Sequence, residues 1–261
     1  MTSTTAASSN PPNPPKTGMS IEVNGLDTIG EDERRGTPRG LFWPWFGANV
    51  SVLGLSYGSF LLGFGISFWQ AVVVGCVGIV ASFLLCGVIS LAGKRGSAPT
   101  MVLSRAIFGI TGNRLPSVLS WLLTVGWETV LVSLAVLATA TVFTRLGWGG
   151  GNATKIVAFL VVVAVIVGAG ILGFDAIMKL QKWLTIATIV VTIVFMALTA
   201  SHIHLSAVTS SKPGSTTAFI GAMVLVFTGF GIGWTNCAAD YSRYLPRSSS
   251  TNGIVGWTTF G

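Results

Sequence analysis

Between Arg39 and Lys94 the chain runs for 54 residues without one Asp, Glu, Lys or Arg. A soluble domain carries about one charged residue in four, so this run has no place on a globular surface. A helix needs about 20 apolar residues to cross the hydrocarbon core of a bilayer, and the run therefore holds two spans and a tight turn. Over all 261 residues only 9% are charged and 51% are hydrophobic, with mean hydropathy +0.74. The chain reads as an all-α integral membrane protein.

Six apolar stretches mark six spans, at about 41–67, 70–92, 116–143, 156–174, 183–201 and 217–236. A seventh begins near Gly253, and the chain stops inside it at Gly261, so the sequence reads as incomplete at its C-terminus. A polar loop carrying Lys94, Arg95, Arg105 and Arg114 separates the second and third spans. Residues 1–20, rich in Pro, Ser and Thr, have no apolar core and are not a signal peptide. With the mixed-charge stretch that follows, they read as a flexible tail over residues 1–40.

The basic residues set the orientation. With a cytoplasmic N-terminus, Lys16, Arg34, Arg35, Arg39, Lys94, Arg95, Arg105, Arg114, Lys179, Lys182, Arg243 and Arg247 lie inside. Only Arg145, Lys155 and Lys212 lie outside. Twelve against three obeys the positive-inside rule, and it accounts for the net charge of +7 without a nucleic-acid partner. Cys76, Cys86 and Cys237 have neither metal nor disulfide spacing. His202 and His204 make a weak metal pair, more simply read as surface residues. No P-loop, nucleophile elbow, HExxH or CxxC is present, which argues against an enzyme.

Three spans carry residues that lipid does not welcome. In WPWFGANVSVLG, Gly47 and Gly54 bracket Asn49 and Ser51. These glycines are either packing surface, with Gly54 and Gly58 as a small-xxx-small pair, or the flanks of an unwound stretch. In GFGIGW of the sixth span, Gly229, Gly231 and Gly233 alternate. Helix contacts prefer spacings of three and four, so alternation fits a break better, glycine removing the steric cost of non-helical dihedrals. Two Gly-interrupted spans, five apart, are the sequence pointer to a transporter site between two repeats. In the third span Trp127 precedes Glu128, the one acid inside a span. A carboxylate at the bilayer centre must be protonated, paired or wet. Glu128 is either a proton-coupling group or a protonated acid bonded between helices.

The stretches ERRGTPRGLFWPWFGANVSVLGLSYG, GSAPTMVLSRAIFG, VGWETV and GWTNCAADYSRYLP together resemble the nucleobase:cation symporter-1 family, the purine–cytosine permeases, over about residues 21–261. The resemblance implies a LeuT-type inverted-repeat fold, with residues 41–201 as the first five-helix repeat and 217–261 as the start of the second. It implies cation-coupled symport, with H⁺ or Na⁺, of a nucleobase such as cytosine or a purine across the plasma membrane, and no resident cofactor. Allantoin or hydantoin, a vitamin or an amino acid are the alternative substrates on the same fold. By motif position the resemblance assigns Trp127 to stacking on the base and Phe230 to its second face. Backbone groups of Gly231 and Gly233 meet the base edge, with Trp234 nearby, and Asn49 or Ser51 contributes from span one. Carbonyls of Phe46 and Asn49 meet the cation. Leu131 stands where some members carry a polar substrate contact.

Overall fold

The computed structural model describes residues 24–50 and 52–261, with the backbone but not the side chains of residues 52, 53, 205, 207 and 209. Among the described residues all regular structure is helical. Helices α1 (Phe42–Asn49) and α2 (Val52–Gly63) form a bent pair. Helix α3 (Phe68–Gly96) follows, started by a capping box in which Ser67 accepts from the Gln70 amide. Two short helices come next, α4 (Thr100–Leu103) and α5 (Arg105–Gly112). The long helices α6 (Arg114–Arg145), α7 (Asn152–Leu172) and α8 (Phe174–Thr199) are then joined by tight turns. After α9 (Leu205–Ser210) comes α10 (Thr216–Gly229), then a 3₁₀ stretch Gly231–Cys237, α11 (Ala238–Ser242) and α12 (Thr251–Phe260). Among the described residues five helices are long and apolar enough to cross a membrane, and six if the bent pair counts as one span. The chain is a multi-pass membrane protein.

Two expectations change. The polar loop between the second and third spans contains α4 and α5, kinked at Gly109, whose φ of +69° a side chain would strain. Lys94 and Arg95 belong to the last turn of α3, where cations suit the helix dipole. The fifth span starts at Phe174 rather than near 183, because Lys179 and Lys182 mark an edge of the apolar zone and not the end of the helix. Charge reports where the lipid stops, and backbone hydrogen bonding carries on past it.

Helix α3 is the hub. It packs against α10, the 3₁₀ stretch, α11 and α12, around a core of Trp45, Val74, Phe83, Cys86, Ala222, Val226 and Ile254. Glycines permit the close approaches: a Cβ on Gly87 would meet the Val255 carbonyl at 2.8 Å, and one on Gly78 would meet Val226 at 2.7 Å. Helix α1 lies on α8, where a Cβ on Gly47 would fall 2.9 Å from the Gln181 side chain. Gly47 is thus a packing glycine, whereas Gly58 faces open space and brings no helix near. Helices α6 and α7 pair with each other and keep most of their apolar side chains exposed, as lipid-facing helices do.

Residues 24–40, expected to be flexible, are laced across one end of the bundle. The Arg34 guanidinium donates to the carbonyls of Lys94 (3.1 Å) and Leu245 (2.6 Å) and to the Ser97 hydroxyl. Arg35 makes two bonds to Asp175, at 3.1 and 3.0 Å, and lies 4.7 Å from the Tyr244 ring centroid. The physical reason is that helix ends leave carbonyls without partners, and guanidinium donors satisfy them. At the same end Arg247 bonds Glu31 at 2.5 Å and holds its carboxyl below the usual range. The rest of the predicted tail, residues 1–23, lies outside the described residues.

Candidate functional site

Both Gly-marked spans are interrupted. In the first, Val50 leaves the helix with φ −81° and ψ 89°, and the halves Pro38–Asn49 and Gly54–Gly63 diverge by 55°. In the sixth, α10 ends at Gly229, and Phe230 takes φ −110° and ψ −118°. The seven residues Gly231–Cys237 then wind as a 3₁₀ helix, a form that seldom exceeds three or four residues and often marks a hinge.

The two interruptions sit together, held on either side by aromatic side chains. Before the first break, Trp45 is almost fully buried and meets Trp234, Phe83 and Tyr241 edge-on at 6.1, 6.0 and 5.3 Å between centroids. Beyond that break, Tyr57 meets Phe230 at 4.8 Å and 63°. These are the edge-to-face arrangements that ring quadrupoles favour. The alternating glycines have separate tasks. A Cβ on Gly229 would strike the Tyr57 hydroxyl at 2.7 Å, and one on Gly231 would intrude on the backbone of Ser82 and Phe83. A Cβ on Gly233 would fall 2.7 Å from the Thr228 carbonyl. The Gly231 amide donates to the Ser82 hydroxyl at 3.1 Å. Close approach to α3 and departure from the α-helix are thus served by the same residue.

Below the break the sixth span is stitched down. Ser90 donates to the Ala238 carbonyl at 3.0 Å, and the backbone and hydroxyl of Thr100 donate to Asp240 at 2.8 and 2.9 Å. Asn236 donates to the Ser120 hydroxyl of α6 at 2.8 Å. Seven residues are 20° short of two helical turns, so Trp127 shares the Ser120 face of α6. Trp127 is 39% exposed. Glu128, about 100° further round the helix, borders a different space. It lines an apolar groove of ≈ 610 Å³ between α6 and α7, with Thr129, Ser133, Phe159 and Val163. The pair Trp127 and Glu128 therefore does not act at one place.

The remaining predicted residues are distributed as follows. Asn49 turns back and donates to its own helix at the Trp45 carbonyl, 2.7 Å away, so its amide is not aimed at the sixth span. The Phe46 carbonyl accepts from the Val50 amide at 2.9 Å and borders the break. Phe230 is only 8% exposed, its ring covered edge-on by Tyr57. Trp234 lies against Trp45, half-buried. Ser51 lies outside the described residues. Among those residues no group of three His, Cys, Asp or Glu could hold a metal.

Residues 28–261 match the family described as "Permease for cytosine/purines, uracil, thiamine, allantoin". The chain belongs to this permease family. YxlA of Bacillus subtilis (strain 168), whose name places it with the purine-cytosine permeases, is 29% identical over 87% of this chain and 48% of its own length. The purine-cytosine permease FCY2 of Saccharomyces cerevisiae is 27% identical over 89% and 43%. The vitamin B6 transporter TPN1 of the same yeast is 24% identical over 93% and 42%. The permease chain thus spans about half the length of the curated relatives it matches. No solved structure matches it significantly. A permease moves its substrate and does not transform it, so the chain is not an enzyme.

Several residues around the two breaks were not singled out by the sequence, although Trp45, Tyr57 and Asn236 lie within the family-like stretches. Trp45, Tyr57, Ser82, Ser120 and Asn236 come from four separate helices and the 3₁₀ stretch. Tyr57 had one readable sign: it is one of three tyrosines in the chain and stands alone in the first span.

Proposed function

We propose that this chain carries the broken-helix portion of a plasma-membrane symporter that moves a planar nucleobase together with H⁺ or Na⁺. The observation that carries the reading is the juxtaposition of the two interrupted spans, Trp45 on Trp234 and Tyr57 on Phe230, in a member of this permease family. Interrupted backbone at membrane depth is stable only in protein or along a cavity, and its free amides and carbonyls suit a substrate and a cation. Trp127 offers a flat apolar face to the base, while the Phe46 carbonyl borders the break from span one. Alternating access follows a LeuT-type course, with the N-terminus cytoplasmic and the Arg34 cluster on the inner side. A neutral base suits such a site, with two π-faces to stack and an edge for a few hydrogen bonds.

The test is uptake of labelled cytosine, adenine, hypoxanthine, uracil and allantoin by cells expressing the full-length gene and lacking their own permeases. Accumulation that follows a proton or sodium gradient supports the reading. No accumulation of any of the five sinks it. The similarity to a vitamin B6 transporter favours a second reading, in which the planar ring is a pyridine. Pyridoxine, added as a competitor beside the bases, separates the two.

A further inference from the structure

The third span carries Trp127, and the bond between Asn236 and Ser120 joins that span to the unwound part of the sixth. Span three and span six run antiparallel, being separated by two intervening membrane helices. From the Ser120–Asn236 bond, Trp127 lies about 10 Å along α6 at 1.5 Å per residue. Phe230 lies about 12 Å along the 3₁₀ stretch at 2.0 Å per residue, in the same direction. The backbone at Trp127 and at Phe230 therefore lies at a similar depth, with the polar bond beneath both on the side of the Arg34 cluster. Their rings make no contact with each other. On that same side a recess of ≈ 510 Å³ opens beside Ser120, lined by Met101, Arg105, Asn113, Arg114 and Ser117.

Asn236 is held on one side only. Its Nδ2 bonds Ser120, whereas its Oδ1 is buried and accepts no hydrogen bond. Buried polar atoms are nearly always satisfied, and an exception calls for a reason. Ser120 itself is anchored in a continuous helix, and the Thr124 hydroxyl bonds its carbonyl at 2.9 Å. Asn236, by contrast, lies on the 3₁₀ stretch that follows the break at Phe230.

We propose that the Ser120–Asn236 hydrogen bond is the latch that holds the unwound stretch of the sixth span against α6 beside the recess, and that Asn236 is a positioning residue for that stretch. While the bond is made, it sets the spacing between α6, which carries Trp127, and the 3₁₀ stretch. When it parts, the 3₁₀ stretch moves from α6 beside the recess that Arg105 and Arg114 line. The transport arm of its test rests on the permease reading above, and the labelling arm does not.

Native Cys237, half-buried and next to Asn236, reports on the latch without any substrate. Full-length protein is expressed with Ser120→Ala, Asn236→Ala, Ser120→Thr and the exchange Ser120→Asn/Asn236→Ser, all on a Cys76→Ser background. Maleimide labelling of membranes is followed over time, with Cys237→Ser defining the Cys237 signal and surface labelling confirming delivery. The expected result is labelling several-fold faster in both alanine variants, with the rate returned towards wild type by Ser120→Thr, which keeps the hydroxyl. The apparent KM for cytosine rises by about three- to ten-fold in the alanine variants, the size of one neutral hydrogen bond, with a smaller change in maximal rate. The exchange variant restores both readouts. Wild-type labelling in both alanine variants overturns the latch, and so does labelling of Ser120→Thr as fast as that of Ser120→Ala. If no nucleobase is transported yet labelling behaves as described, the latch stands and the substrate class falls.

Discussion

Gly231→Ala tests the packing logic at its tightest point. The added methyl lies closer than 3.0 Å to the Ser82 carbonyl group and the Phe83 amide. Both obstacles are backbone of α3, so neither can swing aside as a side-chain tip would. The sixth span has to withdraw by several tenths of an ångström or more, and the Gly231 amide then loses its 3.1 Å bond to Ser82. Overpacking of a tight interior costs about 1–3 kcal/mol, and the lost hydrogen bond adds about 1 kcal/mol. Together they amount to about 2–4 kcal/mol, or a fall in Tm of roughly 5–15 °C at the sensitivity of a 150–250-residue domain. Gly58→Ala is the internal control. No atom lies within 4 Å of its added methyl, and Ala in a helix interior gains about 1 kcal/mol over Gly. Both variants of the full-length protein are purified in detergent and melted side by side. Equal melting temperatures for the two would refute the close approach of the sixth span to α3.

Trp127→Ala should raise KM for every transported base by about five-fold or more, the worth of one base–aromatic stack at roughly 1–3 kcal/mol; an unchanged KM removes Trp127 from the site. Tyr57→Ala uncovers the Phe230 ring and should lower affinity, whereas Tyr57→Phe, which keeps the ring, should not; uptake kinetics decide. Glu128→Gln should flatten the pH dependence of uptake if this carboxyl couples protons, and an unaltered profile leaves it a structural acid beside the α6–α7 groove. Glu31 has its pKa lowered by Arg247, so its contribution is present above the ordinary carboxylate range and fades as pH falls through the depressed value. The Tm gap between wild type and Glu31→Gln should therefore close on acidification and also shrink in high salt, since the pair is exposed. A gap that widens at low pH contradicts that sign.

How much was legible in the sequence differs from residue to residue. That the chain crosses a membrane, where it does so, and which two spans are interrupted are local properties of hydropathy and glycine placement. GFGIGW announces its break because alternation is wrong for a helix contact whatever lies opposite. The motifs that mark the permease family are equally readable in one dimension. The tertiary structure alone decided what each glycine faces. Gly47 meets α8 and Gly231 meets α3, while Gly58 meets nothing, although all three look alike in sequence. It turned Asn49 back onto Trp45, because a side-chain amide beside a helix end finds its nearest carbonyl first. It placed Glu128, which helix geometry already turned 100° from Trp127, in the groove between α6 and α7. It joined Ser120 to Asn236 across 116 positions, and Trp45 to Trp234 across the interval between two spans. Contacts of that range leave no period and no local composition to read. They exist only where two helices, each specified by its own local pattern, are packed against a third.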